Sequence, residues 1–253
     1  MFALHFPPLT HITHWPDFAL KNTPFGMNKI FLIYMLAALF TILIFVLGNK
    51  KRMVPTGLQN LAEVSVEFIE DGIARETMDI EYKRYVPLLT ALFFFIFFTN
   101  IFEIIPVFQM PASARIALPL FLALAVYLVW IGAGIASHGP LGFFKHMLIP
   151  PGVPVGLLPI IVPIEIVSNF LVRPFSHMVR LFANLLAGHI LLVTFTVLSA
   201  SLWTAKWYAV FLPLPVFGVI FFVAFEILVS FLQAYVFTLL TGVYINSAAS
   251  HEH

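Results

Sequence analysis

The chain has 253 residues, of which 61% are hydrophobic and only 10% charged, with a formal net charge of +1 and no cysteine; its mean hydropathy is +1.00. Soluble domains carry about a quarter charged residues, so lipid is the solvent for most of this chain. Disulfides, iron–sulfur clusters and thiol catalysis are excluded, and no basic stretch is dense enough for nucleic acid.

Residues 1–29 form an outer amino-terminal segment. His5, His11 and His14 in it lack a metal-ligand spacing and read as exposed. The first apolar run, residues 30–48, lies behind this segment with no small-residue cleavage site, so it reads as a permanent span. It ends at Gly48-Asn49 and the cluster Lys50-Lys51-Arg52. Residues 49–85 hold the charge-rich region, where Val64, Phe68 and Ile73 alternate with Glu63, Glu67 and Glu70. That pattern predicts an amphipathic helix at the membrane surface. Span two covers 86–106, closed by Pro106, and span three covers 116–136, ahead of the turn-rich Ser137-His138-Gly139-Pro140. After Pro150-Pro151-Gly152-Val153-Pro154 come two very long apolar segments, 160–202 and 208–247.

Lys50, Lys51, Arg52, Arg75, Lys83 and Arg84 all fall in the first loop, whereas the loop after span two has only Arg115 and the turn between the two long segments only Lys206. The positive-inside rule makes the first loop cytoplasmic. Five crossings then place the amino terminus outside and the carboxyl terminus inside, with His251 and His253 in a solvated tail. Length adds a constraint. A helix from Ile160 to Leu198 would be ~58 Å long at ~1.5 Å per residue, against a hydrocarbon core of ~30 Å. The expectation is two steeply inclined helices, kinked if anywhere at Pro174, forming a slanted hairpin that suits a curved protein surface better than lipid.

Polar residues inside these segments are expensive in lipid and point to an ion pathway. Asn169, Arg173, Ser176, Arg180 and Asn184 recur at steps of 4, 3, 4 and 4, which places them on one helical stripe. Glu165 precedes them. His189, nine residues beyond Arg180, falls on the opposite face. Glu226, Ser230, Gln233 and Tyr244 make a second stripe on the last helix, and Asn100 and Glu103 stand at the outer end of span two. Some of these have plainer readings: Arg173 as a snorkelling interfacial cation, Asn184 and Ser230 as ordinary interhelical hydrogen-bonding groups. Arg180 has no acidic residue three or four positions away, so its counter-ion must come from another helix or another chain.

Arg173-Pro174-Phe175-Ser176-His177-Met178-Val179-Arg180-Leu181-Phe182-Ala183-Asn184-Leu185-Leu186-Ala187-Gly188-His189 resembles the signature of the ATP synthase subunit a family, R-L-x-x-N-x-x-[AS]-G-[HE] after a basic residue and a proline. The stretch from Glu226 through Gln233-Ala234-Tyr235 to Tyr244 resembles that family's closing helix, and Asn100-Ile101-Phe102-Glu103-Ile104-Ile105-Pro106 its N-x-x-[DE]-x-x-P. One departure stands out: Ser113-Ala114-Arg115-Ile116 replaces the Asp or Asn common at the start of span three.

The resemblance implies an all-α polytopic membrane protein of about five spans plus the surface helix, its last two helices forming a tilted hairpin against a rotor ring. It implies Arg180 as the essential gate opposite the ring carboxylate. Asn100, Glu103, Asn184, His189, Glu226, Ser230 and Gln233 would form the proton path, and Glu165, Asn169, Arg173 and Ser176 an inner path or interface. The implied partners are the c-ring proteolipids, peripheral-stalk subunit b, the rest of the ATP synthase and membrane lipid, in a bacterial plasma membrane. No cofactor or metal is implied, and with no G-x4-G-K-[ST] loop the chain itself is not the ATP-forming enzyme.

Rival classes fit less well. A secondary transporter commonly has internal repeats and paired broken helices. An intramembrane hydrolase would want paired aspartates, a Ser/His dyad or H-E-x-x-H. A passive proton channel would share the polar path but would not need Arg180.

Overall fold

The computed structural model describes residues 29–48, 54–79, 82–105, 116–149, 153–204 and 208–250. The histidines of the amino-terminal segment, the Lys50-Lys51-Arg52 cluster, Pro106, the Ser113–Arg115 stretch, Pro150 to Gly152, Lys206, and His251 and His253 lie outside the described residues, as does the side chain of Glu103. The described residues form six main helices, with three short 3-10 turns between them, and no strand. They are α1 (Lys29–Gly48), α2 (Leu58–Ile69, carried on by a π turn Glu70–Ala74 and a short piece Arg75–Thr77), α3 (Val86–Ile104) and α4 (Ala117–Leu148). Then come α5, built from Leu158–Val167, a π turn Ser168–Val172 and Arg173–Thr204, and α6 (Pro213–Ala249).

Prolines mark several starts. Helices α3, α5 and α6 each carry proline in their first two positions, where its missing N–H costs nothing and its fixed φ suits the helix. Four helices, α1, α4, α5 and α6, are long and apolar enough to cross a bilayer; α3 contributes a shorter apolar helix, Val86–Phe102. Large apolar side chains such as Met35, Ile42, Phe121, Leu128, Phe217 and Leu228 stand exposed around the outside, the pattern of a chain whose solvent is hydrocarbon.

The expected turn at Ser137–Pro140 is a sharp break inside α4. Gly139 adopts φ 71 and ψ 168, a conformation that L side chains avoid, and helix resumes from Pro140 to Leu148. The piece beyond the break folds back so that the Phe143 ring sits against Gly134, leaving no room for a Cβ there. Trp130 packs edge-on to Phe143 at 5.6 Å.

Helix α2 is amphipathic, but its buried face is Ala62, Ile69, Ile73 and Ala74, with Val66 packed alongside. Val64 faces outward, and Phe68 sits at the border, within 5.8 Å of Phe93 and 6.0 Å of Phe231. The steps 62, 66, 69, 73 are the 4-3-4 rhythm of a helix face; Val64 lies two residues out of phase with it.

The core lies where α2, α3, α4 and α6 meet, around Ile73, Leu89, Phe93, Leu122, Val126, Phe237 and Ile245. Helices α5 and α6 pack antiparallel. Contacts pair Arg173 with Ser247, His177 with Tyr244, Asn184 with Gln233, Gly188 with Glu226 and Phe195 with Phe222. Both ends of α6 are held. Near its start a Cβ on Gly218 would strike the Phe195 ring at 2.5 Å. At its end, Asn246 Oδ1 accepts from Asp79 N (3.1 Å) while its Nδ2 donates to Asp79 Oδ2 (3.3 Å). His138 Nε2 also lies 3.2 Å from the Ser250 carbonyl oxygen, and Tyr235 Oη donates to Gly72 O at 3.3 Å.

Candidate functional site

Helix α5 carries most of the polar residues, and its π turn sets where they point. An α-helix advances about 3.6 residues per turn, so residues four apart drift steadily around the axis. The π turn, with i→i+5 bonds, takes more residues per turn and offsets that drift. Asn169, Arg173 and His177, each four apart, therefore all line one cavity beside α4 and α6, together with Tyr127, Trp130 and Tyr244. The single stripe expected for α5 is thus divided. Asn169 is buried, Arg173 and Arg180 are half-buried, and Ser176 and Asn184 are exposed.

Each member of the inner group has partners except at specific atoms. Asn169 Nδ2 donates to Glu165 Oε2 (2.8 Å) and to Met147 O (3.1 Å). Arg173 Nη1 donates to Ser247 Oγ at 3.3 Å, and its guanidinium sits over the Tyr244 ring at 5.3 Å. That side chain is engaged with α6, which is more than a snorkelling cation requires.

Arg180 is different. Among the described residues the ion pairs are those of Arg75 with Glu70 and Asp71, in the loop. No carboxylate of the described residues forms an ion pair with the Arg180 guanidinium, and the side chain is half-open to the surroundings of the chain. A guanidinium stays ionised at any relevant pH. A fixed cation in the middle of an apolar helix is therefore half-exposed, without a counter-ion among the described residues.

Around the turn, His189 and Glu226 are both buried, Glu226 at 5% exposure, and lie within electrostatic reach of one another. Gly188 makes the approach close: a Cβ there would be 2.6 Å from Glu226 Oε1. One turn further along α6 is Ser230, also buried, and then Gln233, whose Oε1 accepts from Asn184 Nδ2 at 2.9 Å. The stripe on α6 thus faces α5, with Tyr244 closing it against His177 at 5.5 Å. Asn100 is buried on α3. Glu103 lies in the last turn of α3.

Sequence reasoning passed over Trp130, Tyr127 and the special place of His177. His177 lies one turn from both arginines, at i+4 from Arg173 and i−3 from Arg180, and that spacing was its available signal. Trp130 and Tyr127 had none, because an aromatic in an apolar span looks like any other until α4 is packed against α5.

Long apolar helices with buried polar residues between α5 and α6, and an arginine with no ion-pair partner among the described residues, fit a polytopic membrane protein. The family model described as "ATP synthase A chain" matches residues 30–246, and the chain belongs to that family. It is 40% identical over 249 residues to the ATP synthase subunit a of Frankia alni, covering 95% of this chain and 84% of the relative. Against the ATP synthase subunit a of Rhodococcus erythropolis identity is 41%, with 92% and 86% covered. Against that of Rhodopseudomonas palustris it is 44%, with 87% and 88% covered.

Proposed function

We propose that this chain is the stationary proton-translocating subunit of an F-type ATP synthase, offering two aqueous half-channels to a ring of c subunits. The observation that carries the reading is Arg180: a permanent cation on an apolar helix, half-open, with no carboxylate of the described chain beside it. A ring carboxylate supplies the missing counter-ion. Such a carboxylate can face lipid only when protonated, and ionises when it comes opposite the guanidinium.

In this reading α3 also crosses the membrane, as the second of five spans, and the amino terminus lies outside and the carboxyl terminus inside. Protons enter from the outer side past Asn100, Glu103, His189 and Glu226, with Ser230, Gln233 and Asn184 leading toward the ring. They leave on the inner side near Glu165, Asn169, Arg173 and Ser176 after nearly a full rotation. Arg180 stands between the two paths and stops a direct leak. The 46 continuous residues Leu158–Trp203 would extend ~70 Å at ~1.5 Å per residue, more than twice the ~30 Å hydrocarbon core. Helices α5 and α6 therefore lie steeply tilted and cup the ring. Subunit b and the remaining subunits complete the complex, and ATP chemistry takes place on them. A transmembrane voltage contributes ~2.3 kcal/mol per charge per 100 mV, so several protons drive each ATP.

The test is a pair of assays on vesicles holding the complete complex. Arg180→Lys keeps a charge but loses the planar fork and can deprotonate when desolvated; it abolishes coupled ATP synthesis. Arg180→Ala abolishes ATP-driven acidification while passive proton conductance after an imposed potential persists or rises. Normal ATP-driven pumping by an assembled Arg180→Ala complex defeats the proposal.

A further inference from the structure

The cavity between α4, α5 and α6 carries an unusual concentration of unsatisfied polar atoms. Trp130 Nε1, Asn169 Oδ1 and His177 Nε2 are buried with no hydrogen-bond partner, and their residues are 2%, 2% and 3% exposed. All three residues line the same cavity. A buried polar atom left unsatisfied costs about 1–3 kcal/mol, so three around one small space is a configuration that dry protein does not sustain. The cavity volume is about 10 Å³, the scale of about one water.

We infer that one ordered water occupies this cavity, bound by Trp130, Asn169 and His177, and that it makes His177 a positioning residue for Arg180. This rests on the proposed role of Arg180. The donor and acceptor roles of the three groups are compatible with one water. The indole N–H can only donate and the amide oxygen can only accept. Asn169 Nδ2 is already committed to Glu165 and Met147, which fixes which end of the amide meets the water. The water accepts from Trp130 Nε1 and donates to Asn169 Oδ1 and to His177 Nε2, the tautomer with its proton on Nδ1. Three bonds are what a buried water typically makes.

The water joins α4 to the turn of α5 between Arg173 and Arg180, and the His177 ring lies 4.0 Å from that of Phe237 on α6. The turn is thereby held from two sides. Arg180 follows three residues later, so its aim depends on how α5 is rotated about its axis. With side chains reaching ~5–6 Å from a helix axis, a rotation of about 10° moves the guanidinium by ~1 Å. A 1 Å misplacement can cost on the order of a hundredfold in a positioned reaction.

The test uses the complete complex in vesicles with His177→Gln and His177→Phe. Glutamine can present a polar atom near the place of Nε2; phenylalanine keeps the ring packing and loses the polar atom. His177→Gln retains ATP-driven pumping within about threefold. His177→Phe lowers it by about tenfold or more, without the rise in passive proton conductance expected when Arg180 itself is removed. Any result in which glutamine fails to outperform phenylalanine assigns His177 to packing and overturns the inference. A second readout is independent of pumping. In a protein whose other three tryptophans are replaced by phenylalanine, the resonance Raman marker for indole hydrogen bonding reports a bonded Trp130 that becomes unbonded in His177→Phe. An unbonded Trp130 in the His177 parent overturns the water itself. If Arg180→Ala pumps normally, the proton-gate reading fails while the Raman result still stands.

Discussion

Gly188→Ala makes a sharp test of the path through Glu226. A Cβ built on Gly188 falls 2.6 Å from Glu226 Oε1, 3.3 Å from Cγ and 3.4 Å from Cδ. Ordinary contact begins near 3.4 Å, so Oε1 must retreat by 3.4 − 2.6 = 0.8 Å while the rest of the side chain shifts little. The terminal torsion of glutamate is broad, and the rearrangement costs about 1 kcal/mol, which a packed bundle tolerates. The complex therefore assembles. The carboxylate is nonetheless displaced by nearly 1 Å from its place beside His189, and proton transfer depends on that placement. A loss of tenfold or more in ATP-driven acidification is expected, the order that a displacement of this size can impose. Glu226→Asp in the Gly188→Ala background draws the carboxylate back by one methylene and restores part of the rate. An assembled Gly188→Ala complex that acidifies at the parental rate would show that the position of Glu226 does not matter to transport.

Three further outcomes are expected. Single cysteines at Asn100, His189 and Glu226, introduced into this cysteine-free chain, react with silver ions added from the outer side; labelling confined to the cytoplasmic side reverses the assignment of the entry path. Gly134→Val drives a side chain into the rigid Phe143 ring and toward Ala248, an overpacking of about 1–3 kcal/mol; it lowers the thermal midpoint of the purified subunit, and an unchanged midpoint means the fold-back of α4 does not depend on Gly134. Gln233→Leu removes the acceptor of the 2.9 Å bond from Asn184, a loss of ~0.6–1.7 kcal/mol by the usual worth of such bonds in membranes, measured as reduced resistance of the assembled complex to detergent.

The apolar runs were legible in the sequence because a lipid solvent leaves little freedom: once ~20 residues lack charge, helix is the only way to satisfy their backbone. The second polar stripe was equally legible, since steps of 4 and 3 put Glu226, Ser230 and Gln233 on one face, and all three are buried. The stripe on α5 was read only in part. A π turn is a choice of hydrogen-bond partners that leaves no mark in composition, yet it decides that Asn169, Arg173 and His177 share a cavity while Ser176 looks outward. The Gly139-Pro140 pair announced a change of direction, but not that helix would resume and bring Phe143 back onto Gly134. For α2, the glutamates signalled amphipathicity correctly. That Val64 stands outside the buried face was not legible, because an exposed apolar residue looks, in sequence, like one facing a core.

The two clasps on α6 carry a mechanical meaning. One end is seated on α5 where Gly218 meets Phe195, and the other is tied to the preceding loop through Asp79 and Asn246 and to the α4 break through His138 and Ser250. A rod gripped at one end bows freely when pushed sideways; the same rod gripped at both ends bows far less. A sideways push on α6 would then meet a stiff rail, and Glu226, Ser230 and Gln233 near its middle would stay opposite their counterparts on α5 throughout the push.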